Sequence, residues 1–290
     1  MGTDNGILIY NYRTDRYEQP ATDFPTDVRT MALQGDTLWI GALNGLYTYQ
    51  LQNRKLSPLG TKRNGLPHNT IYSIIRTGDN QIYVGTYNGL CRYIASNGKF
   101  EKIPLPVNSS QSNLFVNSLL EDTGRQCIWI GTEGYLFQYF PSTGQMKQTE
   151  AFHNNSIKSL ALDGNGYLLA GTDNGLYVYH NDVTPLQHII HDSRNIQSLT
   201  NNIIWNIFAD QEHNIWLGTD YGISLSRYNS ALQFIPISQI TGTGDGNQFY
   251  SLFRDSKGFY WFGGTNGLIR FTDPAGDKHN AIWYRMGDKT

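Results

Sequence analysis

Charge is scarce in this chain. Lys, Arg, Asp and Glu make up 16% of its 290 residues and the formal net charge is −2, against roughly 25% charged residues in ordinary globular domains. No basic field exists to draw in nucleic acid or anionic lipid, so neither a nucleic-acid partner nor direct membrane contact is expected. Cysteine is scarcer still. Cys91 and Cys127 stand at non-equivalent repeat positions and read as two buried thiols, with a structural pair across neighbouring units as the alternative; two cysteines are too few for a disulfide framework or a zinc site. No apolar run approaches the roughly 18 residues of a membrane-spanning helix, and no basic-then-apolar leader follows Met1. Catalytic signatures are missing too: there is no Gly-x-Ser-x-Gly elbow and no His-Glu-x-x-His, and Gly242-Thr243-Gly244-Asp245-Gly246 lacks the Lys of a phosphate loop. A retaining glycosidase needs two carboxyl groups about 5 Å apart, whereas Asp27, Asp192 and Asp245 are scattered along the chain. The expectation is a non-enzyme with no cofactor and no metal; a propeller hydrolase is the weakest reading.

What the chain has in abundance is a repeat. Its clearest copy runs Leu168-Leu169-Ala170-Gly171-Thr172-Asp173-Asn174-Gly175-Leu176-Tyr177-Val178-Tyr179, and counterparts of Gly171 stand at Gly2, Gly41, Gly85, Gly131, Gly218 and Gly263. Successive spacings are 39, 44, 46, 40, 47 and 45 residues, the period of a four-stranded unit. An apolar run such as Leu38-Trp39-Ile40 precedes each turn, and Asn-Gly pairs (Asn44-Gly45, Asn88-Gly89, Asn174-Gly175, Asn266-Gly267) supply the positive φ angles of a tight hairpin.

One unit shows the whole grammar: strand A at Ile71 to Ile75, B at Gln81 to Gly85, C at Leu90 to Tyr93 and D at Lys99 to Ile103. Other A strands are expected near Val28, Val116, Ile157, Ile204 and Phe249, and Ala281 to Tyr284 supplies a last strand D. Before Gly2 only Met1 remains, so the first unit offers just strands C and D, around Ile7 to Tyr10 and Arg16 to Glu18. The fold class is therefore all-β: a β-propeller of four-stranded antiparallel blades in seven repeats, six full blades plus a half blade at the N-terminus. A right-handed β-helix has a shorter repeat and no antiparallel hairpins. No linker interrupts the series, so residues 1–290 read as a single propeller domain, a fragment of something larger that starts in mid-repeat. Its unpaired first edge invites association, with a homodimer among the expected outcomes.

The segments Ile130-Gly131-Thr132, Leu169 to Tyr177 and Ile215-Trp216-Leu217-Gly218-Thr219, with the longer series Asn202, Asn206, Asp210, Trp216 and Asn247, Ser251, Asp255, Trp261, resemble a known repeat. It is the two-component-regulator propeller of hybrid two-component system sensor histidine kinases of the Bacteroidetes type. That resemblance covers nearly the whole chain. It implies a periplasmic sensor region, adjacent propeller and β-sandwich domains of the same receptor as partners, and an oligosaccharide or other small ligand. It implies no ligand residues.

Most repeated positions are explained by structure alone: the Gly-Thr-x-Asn-Gly turns by hairpin geometry, and Asn69, Asn155, Asn202 and Asn247 by loop backbone groups needing partners. Trp39, Trp129, Trp216 and Trp261 are expected to pack between blades, and Asp4, Asp173 and Asp220 to be solvated. The stretch from Asp122 to Trp129 is faintly similar to the structural Asp-box turn of sialidases. One position in strand A behaves differently. Ahead of the small slot Thr30, Ser73, Ser118, Ser159, Asn206 and Ser251 stand Arg29, Tyr72, Asn117, Lys158, Trp205 and Tyr250. A shared structural demand would make these six alike. Two cations, an amide and three aromatics at the innermost strand are instead expected to ring one channel mouth, where aromatic faces and hydrogen-bonding heads suit carbohydrate. His68, His153 and Arg194 in the loops before strand A are added as candidate ligand contacts, with His191 and Asp245 nearby. A scaffold propeller that contacts only protein partners is the alternative.

Overall fold

A computed structural model of the chain describes residues 2–3, 6–11, 13–14, 16–18, 24–59, 64–106, 114–149, 155–180, 185–229, 232, 234–238, 247–271 and 281–285. They form six four-stranded antiparallel sheets in chain order, the blades of a β-propeller. Blade 1 comprises Val28–Gln34, Thr37–Ala42, Gly45–Gln50 and Lys55–Pro58. Blade 2 runs through Ile71–Arg76, Ile82–Thr86, Gly89–Ile94 and Lys99–Ile103, and blade 3 through Val116–Asp122, Cys127–Thr132, Leu136–Phe140 and Gln145–Gln148. Blade 4 is Ile157–Leu162, Leu168–Thr172, Gly175–Tyr179 and Gln187–Ile189; blade 5 is Ile204–Ala209, Ile215–Thr219, Gly222–Ser226 and Phe234–Pro236; blade 6 is Phe249–Arg254, Tyr260–Gly264, Gly267–Phe271 and Ile282–Tyr284. Ahead of them, Gly2–Thr3 pairs with Gly6–Ile7 and Ile9–Asn11 with Arg16–Glu18. The first unit thus keeps the end of strand B as well as strands C and D.

Two compact units result. The first holds Met1–Glu133 with Phe137–Gln148, the second Gly134–Leu136 with Thr149–Thr290. Within each, successive blades lie A strand against A strand. The small slot after the variable position is where they meet: Ser73 Oγ donates to Val116 O at 3.0 Å, Thr30 Oγ1 accepts from Ile74 N at 3.1 Å, and Ser159 Oγ accepts from Ile207 N at 2.9 Å. The glycines Gly41, Gly85, Gly171 and Gly218 make the same approach possible. A Cβ on Gly41 would fall 2.5 Å from Ile71 Cγ2 of the next blade, closer than real carbon contacts allow.

The B-strand tryptophans are core residues, from 0% to 3% exposed. Their indole nitrogens explain the Asp of the A–B turn. Trp129, Trp216 and Trp261 donate to Asp122, Asp210 and Asp255 at 3.0, 2.8 and 2.7 Å. The other carboxylate oxygen closes the turn, accepting the amides of Arg125, Asn214 and Phe259. One side chain therefore satisfies both the turn and the indole, which is why Asp recurs there. Cys91 and Cys127 are both free and buried, and burial pushes the Cys91 thiol well above its ordinary range.

Candidate functional site

The variable position of strand A has a structural identity. In every blade the A–B ladder shifts register across it: between Val28 and Thr30, Ile71 and Ser73, Val116 and Ser118, Ile157 and Ser159, Ile204 and Asn206, and Phe249 and Ser251. Arg29, Tyr72, Asn117, Lys158, Trp205 and Tyr250 are the extra residues of six β-bulges. A bulged residue is released from cross-strand pairing and its side chain is re-aimed, so its identity is free to differ from blade to blade. None of the six is buried.

In the second unit the three bulge residues touch. Lys158 Nζ lies 4.4 Å from the centroid of the Trp205 ring, and the Trp205 and Tyr250 rings meet edge to face at 5.2 Å and 70°. Polar groups pin the ladder: Trp205 Nε1 donates to Asp220 Oδ1 at 2.9 Å, Gln248 Nε2 donates to the same oxygen at 2.7 Å, and the Tyr250 hydroxyl bonds Gln248 Oε1. Tyr250 is the more open ring, 39% exposed. Asp220 is therefore not a merely solvated turn residue; it is the acceptor that orients two members of the cluster. Asp173 likewise accepts from Ser156 N at 3.1 Å. Asp4, His153 and Asp245 lie outside the described residues.

In the first unit Asn117 Nδ2 donates to Glu133 Oε1 at 3.0 Å. Burial pushes the Tyr72 phenol above its ordinary range; Tyr87 adds to this, Arg29 opposes it and Glu133 adds again. The rings of Tyr72 and Phe115 lie 6.0 Å apart, and His68, whose Nδ1 accepts from Thr70 N, packs its ring 4.8 Å from Tyr87. Arg194 takes no part in the ladder: its guanidinium turns back on Asp192, Nε to Oδ1 at 3.1 Å. His191 binds the Leu199 carbonyl through Nδ1 at 2.5 Å.

Glu133, Asp220, Tyr87, Phe115 and Gln248 are functional candidates that sequence reasoning missed. The first three occupy the position after the Gly-Thr dipeptide or its equivalent, where Leu43, Tyr87, Glu133, Asp173, Asp220 and Thr265 give five residue types in six blades. The signal that singled out the bulges was present there too, masked by a turn motif that explained its neighbours. Among the described residues no group of three or more His, Cys, Asp or Glu is placed to hold a metal ion.

Comparison with known proteins agrees with this architecture. The two component regulator propeller family matches residues 65–88, 198–221 and 243–266. Two crystal structures of the extracellular domain of BT4673 from B. thetaiotaomicron, assigned in one to a one component system and in the other to a hybrid two component system, are 91% and 92% identical over 100% of this chain. The TM-score is 0.77 in both cases. The chain spans 39% of each of those structures. Histidine kinase P4 of Formosa agariphila is 29% identical over 93% of this chain, which spans 21% of that protein. PorZ of Porphyromonas gingivalis, a component of the type-IX secretion system, shares the fold with a TM-score of 0.67 at 16% identity over 89% of this chain and 42% of its own. The repeat pattern, the blade architecture and these likenesses together show that the chain carries two component regulator propeller repeats.

Proposed function

We propose that the chain is the ligand-sensing propeller of a hybrid two-component sensor histidine kinase, located in the periplasm. In this reading it recognises an oligosaccharide and passes the signal by repacking against adjacent propeller and β-sandwich domains of the same receptor. The likeness to an extracellular domain of such a system supports the location and the parent. The observation that carries the ligand reading is the Lys158, Trp205 and Tyr250 ladder. Six bulges free six side chains, and three of them bring two aromatic rings and a cation together beside the Asp220 carboxylate. Rings present apolar faces to the C–H faces of a sugar while their polar rims and neighbours bond its hydroxyls. Nothing in the arrangement transfers a group, so the chain itself is read as non-catalytic.

A thermal-shift screen against plant and host glycan oligosaccharides tests this. A ligand present at 100 times its dissociation constant adds about 2.7 kcal/mol to the folded state, and the shift should vanish in Trp205→Ala and Tyr250→Ala. No shift with this chain, nor with the full extracellular region, would favour a scaffold that meets only protein partners.

A further inference from the structure

A second cluster, confined to the first unit, shares no residue with the Lys158 ladder. The His68 ring lies 4.8 Å from Tyr87, Tyr87 lies 4.2 Å from Phe115, and Phe115 lies 6.0 Å from Tyr72. The four rings come from the loop before blade 2, its B–C turn, the residue ahead of blade 3 and the blade 2 bulge. They form an unbroken row, and all four are half-buried or exposed. Core packing does not account for it, because the core aromatics of the same unit, Tyr83 at 1% and Phe137 at 0%, are fully covered. Leaving ring surface in water forgoes the stabilisation that burying it would bring, and four rings in a row concentrate that loss. The polar flank of the row is built from the neighbouring bulge and turn, where Asn117 Nδ2 donates to Glu133 Oε1 at 3.0 Å. Arg29 and Glu133 both act on Tyr72, in opposite directions, so the charges that reach this ring are one of each sign and favour neither an anion nor a cation.

We infer that this row is a saccharide platform in its own right, taking the apolar face of a neutral pyranose against Tyr87 and Phe115 while Asn117 and Glu133 bond its hydroxyls. The inference rests on the carbohydrate reading proposed above and adds a second location and a charge class to it. Tyr87 and Phe115 are its centre because they make the tightest ring contact of the row and lie between the other two rings.

The test is calorimetric titration of this chain with neutral gluco-, manno-, galacto- and xylo-oligosaccharides and with oligogalacturonate as the acidic counterpart. Tyr87→Leu and Phe115→Leu keep apolar bulk and remove the ring; Trp205→Ala and Tyr250→Ala report on the ladder. Unliganded melting curves confirm that each variant folds. A neutral oligosaccharide should bind the wild type and lose about tenfold in affinity in each Leu variant, as expected for a lost ring face. Binding weakened only by Trp205→Ala and Tyr250→Ala would overturn the row and leave the ladder. Binding weakened only by the Leu variants would uphold the row and remove the ladder. Tighter binding of oligogalacturonate would overturn the neutral class, and no binding by any sugar would overturn both sites.

Discussion

The ammonium of Lys158 stands 4.4 Å from the ring centroid of Trp205, and each is the bulged residue of its own A strand. Two departures from regular pairing, in neighbouring blades, thus create one cation–π contact that neither blade could make alone.

The contact should be measurable. At a partly exposed site a cation–π pair is worth about 0.5–1 kcal/mol. A double-mutant cycle of Lys158→Met and Trp205→Leu, read by urea unfolding, is expected to return a coupling of about that size. Strict additivity would show that the two side chains only share a neighbourhood.

Asp210 is the most heavily engaged acid among the A–B turns. Its Oδ2 accepts from Trp216 Nε1 at 2.8 Å, from Tyr260 OH at 2.9 Å and from Asn214 Nδ2 at 3.0 Å, and the residue is 5% exposed. Asp210→Ala would strand an indole N–H and a phenol in the core, each costing about 1–3 kcal/mol. Gln34→Ala removes the 3.1 Å acceptor of Trp39 Nε1 and an exposed 2.8 Å donor to Asn80 O and should cost about 1 kcal/mol. Chemical denaturation of the two variants compares them directly; equal losses would remove Asp210 from its central place in the packing of blades 5 and 6.

Acid should weaken blade 3 through Asp122. Burial alone would raise this carboxyl, but the Trp129 indole, the Arg125 amide and the Arg125 guanidinium, 2.7 Å away, together hold it below the ordinary carboxylate value. A depressed folded pKa contributes stability that is present above the unfolded value, about 3.9 for Asp, and is lost as pH falls through the folded value. Melting curves of wild type and Asp122→Asn between neutral and acidic pH should therefore converge as pH falls below about 4. A gap that does not change with pH would show that the carboxylate charge contributes nothing.

Gly264 replaces the Thr of the repeat, and restoring the Thr should harm the protein. Elsewhere that hydroxyl closes the B–C turn: Thr172 Oγ1 donates to Gly175 O at 2.9 Å and accepts from Asn174 N at 2.9 Å. In blade 6 the buried Asn247 carboxamide takes the place, its Oδ1 accepting from Asn266 N at 3.0 Å and Thr265 Oγ1 at 2.6 Å. A Cβ on Gly264 would press on the Gln248 carbonyl oxygen and sit 2.6 Å from Asn247 Nδ2; only the second clash is relieved by shortening Asn247. Gly264→Thr is expected to cost about 1–3 kcal/mol, with part of the loss recovered by adding Asn247→Ser. A Gly264→Thr variant that melts at or above the wild-type temperature would refute this account.

Much of the molecule can be read from neighbours in sequence. Asn174-Gly175 joins two apolar runs, and Gly175 has φ +94°, so the hairpin follows from local backbone chemistry. Asp210 and Trp216 stand six residues apart, close enough for a repeated pair to announce a repeated contact. The variable A-strand position was legible because six copies of one frame exposed it. Its bulge was not, since a bulge is a property of the ladder and leaves no mark in the composition of either strand. Asp220 reads in sequence as a solvated turn residue because its partners are Trp205, 15 residues back, and Gln248, 28 residues ahead.

By itself, then, the sequence determined the blades: their number, strand order, turns and the Asp and Trp that recur in them, all of which depend on residues within one repeat. The tertiary structure decided what the freed side chains meet. Whether Lys158 lies on Trp205, or Tyr87 on Phe115, depends on how the A strand of one blade settles against the next, a contact between segments tens of residues apart that no single repeat encodes.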